Sequence, residues 1–230
     1  MQQFLNTLTA ALLFLLVSTT TLLAQYQPDP DPARFDDQIG QFVRYDAQNS
    51  APEEAILFTG SSSIRIWKTA DAFPDYPILN RGFGGSHISD VLHFFDDVIG
   101  TYNPRLVIFY AGDNDVASGK SAEQTLADYQ YLTTQVLALN NRVEMVFIPI
   151  KPSGSRWHLW EEMSRANEMV RSLSDRNPRL HYVDFATPML SEDGTPDLSL
   201  LQDDQLHLTE KGYDVWNSIL APELERLYPR

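Results

Sequence analysis

The stretch "RLVIFYAGDND", Arg105 to Asp115, decides the fold class. From Leu106 to Ala111 it is apolar without a break, β-branched and aromatic, and it is bracketed by Pro104 and Gly112. A strand with one wet face alternates apolar and polar residues, whereas an unbroken run fits a strand covered on both faces, as in a parallel sheet. Four further runs read as strands: Ala55–Thr59, Tyr76–Gly82, Val143–Ile150 and Leu180–Phe185. Between and after them, Ser89–Gly100, Ser121–Leu139, Leu159–Asp175 and Thr209–Leu227 carry helical apolar spacing, and capping residues such as Ser121 open them. This alternation predicts an α/β fold, a three-layer α/β/α sandwich around a mainly parallel sheet of about five strands. In such sheets, sites gather beyond the carboxyl ends of the strands.

At 230 residues and 43% hydrophobic content, the chain suffices for one sizeable core. Seventeen Lys and Arg against 31 Asp and Glu give a formal net charge of -14. Such a surface repels phosphate backbones and anionic membranes, so nucleic acid is excluded as an expected partner. The apolar stretch Leu8 to Leu23 ends in Leu22-Leu23-Ala24, which reads as an export signal over 1–24, cleaved after Ala24. No Lys or Arg precedes it, and an uncleaved N-terminal anchor is the alternative. The absence of cysteine rules out a disulfide framework, a lipoprotein anchor and a thiol nucleophile, and suits a bacterial exported enzyme, periplasmic or secreted. A stiff, solvated, proline-rich spacer is expected over 25–34 and the folded domain over 35–230.

Four polar clusters follow predicted strands or precede the last helix. Gly60-Ser61-Ser62-Ser63 is either a serine-rich helix cap or a tight turn that presents a nucleophilic hydroxyl near free backbone amides. "NRGFGGSHISD" (Asn80 to Asp90) lets a ligand approach the main chain, yet its spacing misses the dinucleotide fingerprint and no P-loop lysine follows. Asp113-Asn114-Asp115 lacks EF-hand spacing, and Asn114 could offer a side-chain N–H donor or merely end the strand. Asp204 and His207, three apart, are expected on one side of a helical turn, where a carboxylate can orient an imidazole base. No second His or carboxylate cluster stands at ligand spacing, so neither metal nor organic cofactor is expected.

Together the clusters supply a hydroxyl, a glycine amide, an amide side chain and an Asp–His pair, which are the parts acyl transfer needs. The combination resembles the SGNH hydrolase superfamily, the GDSL-type esterases and lipases, over roughly Ala55 to Tyr213. Where that family usually has Gly-Asp-Ser, this chain has Gly60-Ser61-Ser62; Ser61 thus replaces an acidic residue, in a branch with "GSSSIR" wording similar to platelet-activating-factor acetylhydrolase-like and carbohydrate-ester-cleaving enzymes. Asn-x-Gly-x-x-Gly is matched by Asn80, Gly82 and Gly85, Gly-x-Asn-Asp by Gly112, Asn114 and Asp115, and Asp-x-x-His by Asp204 and His207.

The resemblance implies a flavodoxin-like sheet, Ser62 as nucleophile, His207 as base and Asp204 as its orienter. It also implies an oxyanion hole from Ser62, Gly85 and Asn114. Ser61 and Ser63 remain fallback nucleophiles. "KPSGSRW" contributes Lys151, Arg156 and Trp157 as candidate substrate contacts, while Arg65 and Trp67 read as packing residues, and His87, His93, His158 and His181 as ordinary core or surface histidines. The expected substrates are small-molecule or glycan esters with short acyl groups, acetyl foremost. A lysophospholipase or thioesterase, an acyltransferase and a non-catalytic glycan-binding domain are the alternatives.

Overall fold

The computed structural model describes residues 26–229, so the expected signal over 1–24 lies outside the described residues. In chain order the main elements are α1 (Asp36–Asp46), β1 (Ile56–Gly60), α2 (Ser62–Ile66), β2 (Ile78–Gly82), α3 (Ile88–His93), β3 (Leu106–Tyr110), α4 (Asp113–Ala117), α5 (Ala122–Leu139), β4 (Glu144–Phe147), α6 (Trp160–Ser174), β5 (Leu180–Tyr182) and α7 (Glu210–Leu227). The five strands pair in parallel in the order β2-β1-β3-β4-β5, the flavodoxin-like arrangement. Every residue of β1 and β3 is buried, as their unbroken apolar runs require.

Because side chains alternate across a strand, one sheet feeds two cores. Leu57, Val107, Phe109, Met145 and Phe147 pack with Ile39 of α1, Val91 of α3, Tyr129 and Leu132 of α5 and Val170 of α6. Ile56, Phe58, Ile108, Tyr110 and Val146 pack on the other side with Ile64 of α2 and with Trp216, Leu220 and Leu224 of α7. Three layers result. The helix expected over Ser89–Gly100 is interrupted: α3 stops at His93, Phe94 leaves helical geometry (φ -97, ψ 25), and a single turn follows over Phe95–Val98.

Most residues of the spacer's described part are exposed, as expected of a solvated segment, but it does not stand away from the domain. Its described part lies on the domain: Gln27 exchanges hydrogen bonds with the Gln124 side chain (3.3 and 3.4 Å), and Arg34 pairs with Asp90. Asp29 reaches Lys120 at 2.5 Å. Lys120 is itself buried and also meets Asp128 (2.6 Å) and Asp115 (3.2 Å). Proline stiffness sets the backbone of the segment, but these charges decide where it lies.

Burial pushes the Asp115 carboxyl up to about 6, against the pull of the Lys120 ammonium and the Ile88 N–H. The Lys120 ammonium is driven the other way to burial, above the ordinary lysine range, by its three carboxylates. Removing one partner from a buried pair leaves the other charge uncompensated, at a cost of about 3–5 kcal/mol. Lys120→Met therefore lowers unfolding stability in urea titration by about that amount. Adding Asp115→Asn recovers much of it, because the stranded carboxyl is gone.

Candidate active site

The site begins with a steric fact at the end of β1. Gly60 has φ +124, and a Cβ there would lie 1.9 Å from the Tyr110 carbonyl oxygen, so only glycine fits. The chain turns at this point, the Ser61 N–H donates to Tyr110 O (2.9 Å), and α2 starts with Ser62 at its first helical position. An amide at that position has no intrahelical acceptor. Two contacts fix α2 from outside. The Asn80 Nδ2 donates to Ile64 O (2.9 Å) while its Oδ1 accepts from Gly82 N–H (2.9 Å), and the Tyr213 hydroxyl donates to Ser63 O (2.8 Å).

Asp204 and His207 lie on the loop before α7, which the Leu201–Leu208 bridge closes. They do not sit on the expected helical turn, because Gln205 between them has φ +54, outside helical space. An Asx turn brings them together instead. The Asp204 Oδ1 accepts from the backbone N–H groups of Leu206 and His207 (2.9 Å each), and its Oδ2 lies 2.5 Å from His207 Nδ1. His207 Nε2 is 3.0 Å from Ser62 Oγ. With Nδ1–H donating to the carboxylate, Nε2 is the free acceptor for the Ser62 hydroxyl proton. Desolvation works against the Asp204 charge, but the His207 ring and the two backbone N–H groups outweigh it and hold the carboxyl at about 2.

Asn114, the second residue of α4, donates its Nδ2 to Ser86 O (3.1 Å). Its Oδ1 accepts from Arg156 Nη2 (2.9 Å), while Arg156 Nη1 bonds Asp113 Oδ2 (2.9 Å). The guanidinium fork thus fixes which end of the amide is the donor. Ser62, Gly85, Asn114, Arg156 and His207 all line one open cleft of about 720 Å³, with Gln38, Gln41 and Phe42 of α1, Arg65, Gly82, Gly84 and Leu206. An acyl carbonyl in this cleft would meet a hydroxyl with its base on one side and amide donors on the other.

Two sequence candidates stand elsewhere. Lys151 is 1% exposed and does not line the cleft; its Nζ lies 5.7 Å from the centre of the Tyr110 ring, and burial lowers the ammonium's affinity for its proton. Trp157 stacks on Trp160 (5.7 Å, 19°) outside the cleft lining. Trp67 is core, with its Nε1–H on Asn217 Oδ1 (2.8 Å), as read from the sequence. Arg65 is not: it is exposed and faces the cleft. Its signal was its place three residues after Ser62, on the same helix face. Gln38, Gln41 and Phe42 were missed with α1 itself, whose polar sequence carries a single buried residue, Ile39. Among the described residues no cluster of three or more His, Asp or Glu could hold a metal.

A model of the GDSL-like Lipase/Acylhydrolase family matches residues 65–215, well over half of the chain. This chain belongs to that family. The matched span takes in Gly85, Asn114, Asp204 and His207 and begins three residues after Ser62. As a GDSL-type member of the SGNH superfamily, the protein is a carboxylic ester hydrolase acting on small ester substrates. The platelet-activating factor acetylhydrolase IB subunit alpha1 of Pongo abelii is 27% identical over 178 residues, 74% of this chain and 75% of the relative. The human protein of that name is 26% identical over the same shares. In fold, a GDSL-like lipase from Bacteroides thetaiotaomicron matches with TM-score 0.70 at 19% identity, over 82% of this chain and 97% of that one. A catalytic mutant of an acetylxylan esterase from Geobacillus stearothermophilus matches with TM-score 0.63 at 14% identity, over 76% and 94%.

The Arg156 fork has a measurable consequence for this esterase. Arg156→Lys keeps the charge but cannot bond Asp113 and Asn114 in one plane, so the Asn114 amide is held by its Ser86 bond without the fork. We expect kcat on p-nitrophenyl acetate to fall about tenfold with KM little changed, less than the loss from deleting an oxyanion donor outright.

Proposed function

We propose that the protein hydrolyses short-chain acyl esters, acetyl esters above all, on polyhydroxylated alcohols such as carbohydrates, through an acyl-enzyme on Ser62. The observation that carries this reading is the continuous line Asp204–His207–Ser62, with spacings of 2.5 and 3.0 Å, opening into a cleft that also holds Gly85 and Asn114. His207 Nε2 takes the hydroxyl proton as Ser62 Oγ attacks the ester carbonyl. The resulting oxyanion is met by the backbone N–H groups of Ser62 and Gly85 and by Asn114 Nδ2. When the C–O bond to the alcohol breaks, His207 returns the proton to the leaving oxygen. Water then repeats the sequence on the acyl-enzyme, releasing the acid and restoring Ser62.

Three features support short acyl groups on a polar alcohol. Among the described residues Phe42 and Leu206 are the only large apolar side chains lining the cleft, so a long chain would find little to bury against. Gln38, Gln41, Arg65 and Arg156 face it instead, which suits hydroxyl-rich leaving groups. The acetylhydrolase relatives and the acetylxylan esterase neighbour share an acetyl group in their names, the latter on a polysaccharide. The export reading of residues 1–24 fits an enzyme that meets glycans outside the cytoplasm, and N-terminal sequencing of the exported protein should begin at Gln25.

On p-nitrophenyl acetate, butyrate and octanoate the native chain is expected to prefer acetate, and Ser62→Ala to lose about 10⁴-fold or more in kcat. Fastest turnover of octanoate, or an unimpaired Ser62→Ala, would sink the reading. Because Asp204 is already charged far below neutral pH, its own ionisation adds no limb to the kcat/KM profile between about pH 5 and 9. Asp204→Asn should lower kcat across that whole range rather than move a limb.

A further inference from the structure

Resting on the esterase reading above, we infer that the leaving alcohol of the natural substrate carries an anionic group, a carboxylate or phosphate, bound by Arg65. The chain is strongly acidic, with 31 Asp and Glu and a formal charge of -14, yet among the described residues none that lines the cleft is acidic. Two are arginines. Arg156 is neutralised by Asp113 at 2.9 Å. Arg65 has no ion-pair partner among the described residues, and its side chain is exposed.

The position of that charge is built. A Cβ on Gly84 would come within 2.8 Å of Arg65 Nε and 3.3 Å of its Nη2, so the bare glycine is what lets the guanidinium lie across the loop that ends in Gly85. From the opposite side, Gln38 commits its Oε1 to the Gly84 N–H (3.2 Å). That fixes its amide orientation and leaves Nε2–H₂ as a donor on the cleft wall. Next to the proposed nucleophile the cleft therefore presents a free guanidinium and an oriented amide donor, with no carboxylate to compete. The chemistry it complements is an oxyanion rich in acceptors. An acetyl group has no charge to offer, so with acetyl as the acyl part the anion must sit on the alcohol.

The test uses the full chain and matched pairs of substrates. One pair is acetylated methyl glucuronoside against acetylated methyl glucoside, alike except for a carboxylate in place of a hydroxymethyl group. The other is acetylglycerol phosphate against monoacetylglycerol. The readout is the ratio of kcat/KM, anionic over neutral, for native protein, Arg65→Gln and Arg65→Lys, with p-nitrophenyl acetate run alongside. We expect the native ratio to exceed one in at least one pair, to fall about fivefold to tenfold in Arg65→Gln, and to be partly restored in Arg65→Lys; the size is that of one exposed charge-assisted contact. Preference in the first pair alone identifies an acidic sugar, and in the second a phosphorylated alcohol. A ratio of one or below in both pairs, or a preference that Arg65→Gln leaves intact, overturns the inference while turnover of p-nitrophenyl acetate keeps the esterase reading. Inertness toward p-nitrophenyl acetate as well brings down both.

Discussion

The contact between Gly60 and the Tyr110 carbonyl governs where the site can form. At the ends of β1 and β3 the two backbones come so close that a single methyl group would strike the neighbouring carbonyl at 1.9 Å. In exchange, β1 can turn at once into α2, so that Ser62 stands above the sheet only two residues after the strand ends. The same strand pairing sets Tyr110 opposite Gly60, and α4 with Asn114 follows directly from β3. The hydroxyl and the amide donor therefore come from neighbouring strands in fixed register. No loop has to find them.

What the sequence revealed and what it hid divide along physical lines. The five strands were legible because burial on both faces removes polar residues from them, and Leu106–Tyr110 is the plainest case. Asn114, Asp204 and His207 were legible as spacings within short blocks. The conformation of the last block was not: a three-residue spacing suits both a helical turn and an Asx turn, and only the positive φ of Gln205 distinguishes them. Lys151 misled because a lysine beside tryptophans after a strand looks like a surface contact, whereas the whole side chain is buried, with its ammonium 5.7 Å from the centre of the Tyr110 ring. Arg65 misled in the opposite sense. Where its guanidinium lies depends on Gly84, nineteen residues away, lacking a side chain.

Charge is organised in two distinct ways. Around Lys120 it is internal: Asp29, Asp115 and Asp128 converge on one buried ammonium and join the N-terminal segment, α4 and α5 in a single cluster. Removing Lys120 strands the buried Asp115 in a low dielectric, whereas Lys120 keeps Asp29 and Asp128 if Asp115 is removed. At the cleft it is directional. Asp113 and Asp204 are consumed by Arg156 and His207, and Arg65 lines the cleft without an ion pair among the described residues. The same acidic chain thus sets an exposed guanidinium, with no carboxylate partner among the described residues, against the cleft.

The hydrogen bond from Ser62 to His207 spans 145 positions of the chain. Asp204 and His207 come just before α7, whose Trp216, Leu220 and Leu224 seal one of the two cores. His207 therefore meets Ser62 only when the segment that carries it has packed against the sheet. The short line from hydroxyl to imidazole is thus a late product of the fold, held in place by the docking of α7 as much as by the residues that form it.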